Sequence, residues 1–121
     1  MASVVHLTSE TFDDIVLRAK KPVLVDFWSS WCLPCRALEP ILQALASEFE
    51  GRATVAKLQV DLHPRLRDRY EIQGVPAFLV FINGKTRVRA VGALPPDRLR
   101  AMLEEFSMAG EPNTKAKPES S

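Results

Sequence analysis

The sequence predicts an α/β fold, with a mixed central β-sheet and helices on both faces. Three observations lead there. Pro22-Val-Leu-Val-Asp-Phe-Trp28 is a nearly unbroken apolar run of strand formers. After it, Leu38, Ile41, Leu42, Leu45 and Phe49 recur at helical spacing. Further on, Ala77 to Ile82 and residues 86 to 91 flank Asn83-Gly84, a strong two-residue hairpin turn. Crossovers through helices give parallel strand pairs, and the hairpin adds antiparallel ones.

The elements follow in order. Val4 to Leu7 reads as a short first strand. Thr8 or Ser9 caps a helix to about Lys20, with Phe12, Ile15, Val16 and Ala19 on its buried face. Lys20-Lys21-Pro22 ends it. Val23 to Trp28 is the central strand. Residues 33 to 49 form the next helix, with Pro40 inside it. An interior proline removes one hydrogen bond and clashes one turn back, so a kink is expected there. Thr54 to Asp61 is a third strand, in which Val55, Lys57, Gln59 and Asp61 alternate with Ala56, Leu58 and Val60. His63-Pro64 opens a short helix to about Tyr70. Pro95-Pro96-Asp97 starts the last helix, with Leu99, Met102, Leu103 and Phe106 inward. The order is βαβαβαββα, without internal repeats. Residues 1–109 make one domain, and the polar residues 110–121 read as a disordered tail.

Composition narrows the function. At 46% hydrophobic, the 121-residue chain can build an ordinary core. Its net charge of +1, from 16 basic and 15 acidic residues, argues against an electrostatic nucleic-acid binder. No apolar run approaches the ~20 residues of a membrane span. Met1 to Thr8 has no basic segment followed by an apolar one, so no secretory signal is expected. Both cysteines fall in one motif, leaving none for a structural disulfide, which fits a reducing compartment and hence the cytoplasm.

That motif, Trp31-Cys32-Leu33-Pro34-Cys35, sits between the central strand and the helix after it. A Cys-x-x-Cys pair at a strand-to-helix junction reads as a redox motif. Cys32 falls at the helix N-terminus, where unpaired N–H groups and the helix dipole favour a thiolate. Pro34 suits the first turn. Cys32 is expected to be a partly exposed nucleophile that forms a mixed disulfide, which Cys35, one turn in, resolves. Two other readings stand beside this one. The pair could be ordinary core cysteines, although Trp31 and Pro34 argue otherwise. It could also be half of a tetrahedral zinc or iron–sulfur site, but no second pair or suitably spaced histidine exists, so no metal is expected. Asp26 interrupts an otherwise apolar strand. A buried, unpaired carboxylate is costly, so its pKa should be raised.

Val25-Asp26-Phe27-Trp28, Trp31-Cys32, Pro34-Cys35, Pro40, Gly74-Val75-Pro76 and Val91-Gly92-Ala93 stand in thioredoxin order and spacing. Over roughly residues 4 to 107 the chain resembles that family. The resemblance implies a thioredoxin-like fold with the cysteines at the carboxyl end of the central strand. It implies a protein disulfide reductase working by dithiol–disulfide exchange through Cys32 and Cys35. Asp26 would accept the proton of the resolving thiol through water, near the family's lysine, Lys57; pairing of Asp26 with that lysine is the blander reading, and the two are compatible. Pro76 would be the cis-proline opposite the cysteines, turning Val75 outward to pair with an extended substrate segment. Trp31, Leu33, Pro34, Gly74, Val75, Pro76, Gly92 and Ala93 would form the substrate-binding surface, with Gly92 allowing close backbone approach.

The resemblance further implies a monomer without a bound cofactor. Its partners would be disulfide-containing proteins and a thioredoxin reductase, an NADPH-dependent flavoenzyme. A holdase or binding module on the same fold, or a redox partner with a single client, are the alternatives. Trp28 reads as packing, His6 and His63 as surface residues, and Arg65-Leu-Arg-Asp-Arg69 as a solvated helix face. Leu33 stands where the family most often has glycine, Ala77 where threonine is common and Arg36 where lysine is usual. Proline at 34, rather than histidine, points to a reductant.

Overall fold

The sheet is built around the apolar run that ends at Trp28. In the computed structural model, which describes residues 3–109, strand β2 (Val23–Trp28) lies at its centre. It pairs in parallel with β3 (Thr54–Gln59), which pairs in parallel with β1 (Val5–His6). On its other side β2 is antiparallel to β4 (Ala77–Ile82), which forms a hairpin with β5 (Lys85–Val91). The strand order is β1-β3-β2-β4-β5. Helix α1 (Leu33–Ala37), α2 (Glu39–Glu48), α3 (Pro64–Arg69) and α4 (Pro96–Ala109) complete the fold.

Strand alternation divides the core into two layers. Val23, Val25 and Phe27 face one layer with Phe12, Val16, Leu58 and Phe81. There Phe81 meets the Phe12 and Tyr70 rings edge-on, at 5.9 and 5.3 Å between centroids. Leu24 faces the other layer with Leu38, Leu42, Phe49 and Leu103. Each such side chain taken from water contributes about 1.5–3 kcal/mol. Both faces of β2 are therefore covered, which explains its unbroken apolar run.

The expected kink takes the form of a break. α1 and α2 are separate helices meeting at Leu38, which caps α2. Pro40 has no N–H to return to the Arg36 carbonyl, and it falls in the first turn of α2, where none is needed.

The first helix is shorter than its sequence suggests. Only Asp13–Leu17 is helical, in a wide π-type turn that Arg18 closes by donating its N–H to the Asp13 carbonyl at 3.0 Å. At its start Thr8 and Thr11 bond each other's backbone N–H groups, at 3.0 and 3.3 Å, a reciprocal capping box with Thr8 as the expected cap. The Thr8 carbonyl also accepts the Phe12 N–H at 3.0 Å, the first bond of the helical turn. Phe12 and Val16 are buried, but Ile15 and Ala19 only half so. β3 also stops early. Val60–Leu62 form a 3-10 turn, so Asp61 lies beyond the strand. Residues 110–121, expected to be a disordered tail, lie outside the described residues. No helix among the described residues is long and apolar enough to cross a membrane.

Asn83 and Gly84 turn the β4–β5 hairpin with φ of 52° and 81°. A Cβ on Gly84 would stand 2.8 Å from the Leu17 carbonyl oxygen. Gly84→Ala is therefore expected to destabilise the fold by about 1–2 kcal/mol, through backbone strain and that clash. Urea melts of the two proteins test this, and equal midpoints would refute it.

Candidate active site

Both cysteines sit where β2 ends and α1 begins. The Cys32 N–H donates to the Ser29 carbonyl at 3.2 Å, closing the turn out of the strand. Cys32 is the N-cap of α1, and its sulfur accepts the Cys35 N–H at 3.2 Å, satisfying one orphan donor of the helix start. Pro34 occupies the first turn. A disulfide joins the pair, with 5.3 Å between the Cα atoms. Cys32 is only 5% exposed, not partly exposed as its sequence position suggests. In this oxidised form its sulfur turns back onto Cys35 rather than outward.

The loop before the pair is held by residues that nothing in the sequence marks for the site. Asp61 accepts hydrogen bonds from Ser30 Oγ at 3.1 Å and Gln59 Nε2 at 3.2 Å. Arg36 Nη2 donates to the Ser30 carbonyl at 2.9 Å, a role for the cation that stands where lysine is usual.

Around the cysteines lies an apolar rim. Trp31 and Leu33 are 72% and 75% exposed, large side chains that burial would ordinarily claim. A groove of about 680 Å³ runs from Trp31 past Val60, Asp61 and Ile72 to Gly74 and Val75. The Val75–Pro76 peptide is cis. Gly92 donates its N–H to the Pro76 carbonyl at 2.8 Å, which brings the Gly92–Ala93 segment beside it. Gly92 has φ of +104°, and a Cβ there would meet nothing of this chain. Its glycine therefore serves backbone conformation, not close approach within the chain. Of the expected surface, Trp31, Gly74 and Val75 share the groove. Leu33, Pro34 and Ala93 are exposed outside its walls, and Pro76 is buried.

On β2, Asp26 shares the face of Leu24, whose layer packs against α2. It is 0% exposed, and neither carboxyl oxygen has a hydrogen-bond partner. Burial pushes its pKa up from 3.8 to about 7; the Lys57 charge works against this rise, and that of Glu39 adds to it. Asp26 and Lys57 are register partners on β2 and β3, as neighbouring strands would place them. The blander expectation, a paired Asp26, does not hold. The Lys57 ammonium bonds Glu39 Oε2 at 3.1 Å and lies over the Trp28 ring, 4.4 Å from its centroid. Glu39 thus belongs to the site although nothing in the local sequence marks it. Trp28 packs, and also supports a cation.

The remaining candidates are the two histidines and the α3 arginines. His6 is exposed; His63 is half-buried and shares a 3.0 Å hydrogen bond with Ser9 Oγ, so it is not simply a surface residue. Arg65, Arg67 and Arg69 are exposed along α3. Among the described residues no group of three or more His, Cys, Asp or Glu side chains is placed to hold a metal ion.

Comparison with known proteins gives the same picture. The family model described as Thioredoxin matches residues 3–105. Thioredoxin 1 of Chlorobaculum tepidum is 40% identical over 92 residues, covering 76% of this chain and 91% of that protein. The thioredoxin of Acidithiobacillus ferridurans is 40% identical over 102 residues, covering 84% and 94%. Among solved structures, a mutant thioredoxin from Halobacterium salinarum superposes with a TM-score of 0.80 at 32% identity, covering 87% of this chain and 91% of that one.

Proposed function

The chain belongs to the thioredoxin family and is a thiol–disulfide oxidoreductase acting through Cys32 and Cys35; on that premise we propose that Cys32 attacks, Cys35 resolves, and Asp26 accepts the proton. The observation that carries this assignment of roles is the cysteine pair at the start of α1, with Cys32 as its N-cap. In the reduced protein the Cys32 thiolate attacks one sulfur of a substrate disulfide. A mixed disulfide forms, and the other substrate sulfur leaves as a thiolate that takes up a proton. Cys35 passes its proton to the Asp26 carboxylate and attacks the Cys32 sulfur. The second substrate thiol is released, and the Cys32–Cys35 disulfide remains.

The substrate would lie in the groove beside Trp31, its backbone paired with Val75 as an added strand. Leu33, Pro34, Pro76, Gly92 and Ala93 would complete the contact. No bound cofactor is required, because the sulfurs carry both electrons. Re-reduction would come from a thioredoxin reductase, an NADPH-dependent flavoenzyme, in a reducing compartment such as the cytoplasm. Reduction of a disulfide-bonded protein, with dithiothreitol as electron source, is the test. Stoichiometric binding without turnover would favour the holdase reading, and turnover of one client alone the specialised one.

Leu33 is the motif's departure, and its exposure favours a role in recognition. Leucine restricts the reduced motif more than glycine would, by ~0.4–1 kcal/mol. At ~30 mV per ~1.4 kcal/mol, that shifts the potential by only roughly 10–20 mV. Burying the leucine against a client is worth ~1.5–3 kcal/mol, tenfold or more in affinity. Leu33→Gly is thus expected to move the potential by less than ~30 mV while reordering rates among protein clients. Equilibration against a dithiol couple, alongside turnover on several clients, measures both. An unchanged ranking with a larger shift would assign Leu33 to redox poise.

A further inference from the structure

Asp26 and Lys57 sit side by side on parallel strands and share a face, and both are nearly or fully enclosed. A buried ammonium in that position ordinarily takes the neighbouring carboxylate as its partner, because each offsets the other's desolvation. Here it does not. Lys57 is held by Glu39 at 3.1 Å and by the Trp28 ring, and both Asp26 oxygens are left without a partner. Glu39 stands in the first turn of α2, its side chain 53% exposed. With Lys57, His6 and Gln43 it lines a cleft of about 190 Å³ between α2 and the β1–β3 edge.

We propose that Glu39 is a positioning residue for the exchange reaction: by holding the Lys57 ammonium at the cleft, it keeps the Asp26 carboxyl unpaired and able to exchange a proton with Cys35. The proposal rests on the reading of Asp26 as proton acceptor. The groups concerned are Lys57 from β3, Glu39 from α2, His6 at the cleft from β1, and Cys35 from α1. With Glu39 uncharged, Lys57 is released toward Asp26, and a negative charge that favours the protonated carboxyl is gone. Both changes make Asp26 ionise at lower pH, and so make it a weaker base toward the Cys35 thiol.

Glu39→Gln keeps the side chain's size and removes only its charge. The Asp26 carboxyl can be followed by carbon NMR across a pH series in the oxidised protein. Its midpoint is expected to move toward acid by about half a pH unit or more. The pH profile for resolving a mixed disulfide should move with it. Lys57→Met is expected to move the midpoint the opposite way, so a single poorly folded variant does not decide the matter. An unchanged midpoint in either variant overturns the proposal. Asp26→Asn separates the two ideas. If it resolves mixed disulfides slowly while Glu39→Gln titrates as the wild type does, only the Glu39 proposal falls. If it resolves them at the wild-type rate, Asp26 is not the acceptor and both fall.

Discussion

Cys35→Ser is expected to accumulate a stable mixed disulfide with substrate, Cys32→Ser to form none, and multiple turnover to be lost in both. The asymmetry follows from where α1 begins. Cys32 is the N-cap, so its sulfur faces the unpaired N–H groups of the first turn and already accepts one, from Cys35. That end of the helix stabilises negative charge and lowers a thiol's pKa from the ~8.5 of free cysteine. Cys35 lies inside the helix and is 2% exposed, a position that favours the neutral thiol. Cys32 is also flanked by the two exposed apolar side chains, Trp31 and Leu33, against which a client can rest. Mass spectrometry of each variant after mixing with a disulfide-bonded protein reads the result. An adduct with Cys32→Ser and none with Cys35→Ser would reverse the two roles.

The elements that position this pair could be read in the sequence because a local cause fixes each one. β2 is apolar on both faces because it is covered on both, and its bounds agree with the expected Val23 to Trp28. The break at Leu38 follows from Pro40, and the hairpin turn from Asn83-Gly84. Features that depend on distant partners could not be read. Glu39 and Lys57 are 18 positions apart, and Ser30 and Asp61 are 31 apart. Neither pair falls on a helical or strand period that would reveal it.

Asp26→Ala is expected to stabilise the oxidised protein by ~1–3 kcal/mol at pH 8, and by much less near pH 4. In the fold the carboxyl titrates at about 7 rather than 3.8, chiefly because burial disfavours its charged form. Between those values the folded state binds a proton that the unfolded state has lost. Stability therefore falls as pH rises through that window, and the penalty is complete only above the folded value. About three pH units at ~1.36 kcal/mol each set a ceiling of roughly 4 kcal/mol, and the small void left by truncating the side chain reduces it. Below pH 4 the group is neutral in both states, so the advantage of alanine should shrink. Denaturant melts of both proteins at the two pH values decide this. A variant less stable at pH 8 would mean that the Asp26 carboxylate is well paired. The cost of keeping Asp26 should reappear in the kinetics. Removing a proton acceptor poised near neutrality is expected to slow resolution of the mixed disulfide by at least ~10-fold at pH 7, with little change in the first attack by Cys32. Equal slowing of both steps would point to a general change in the motif rather than the loss of a base.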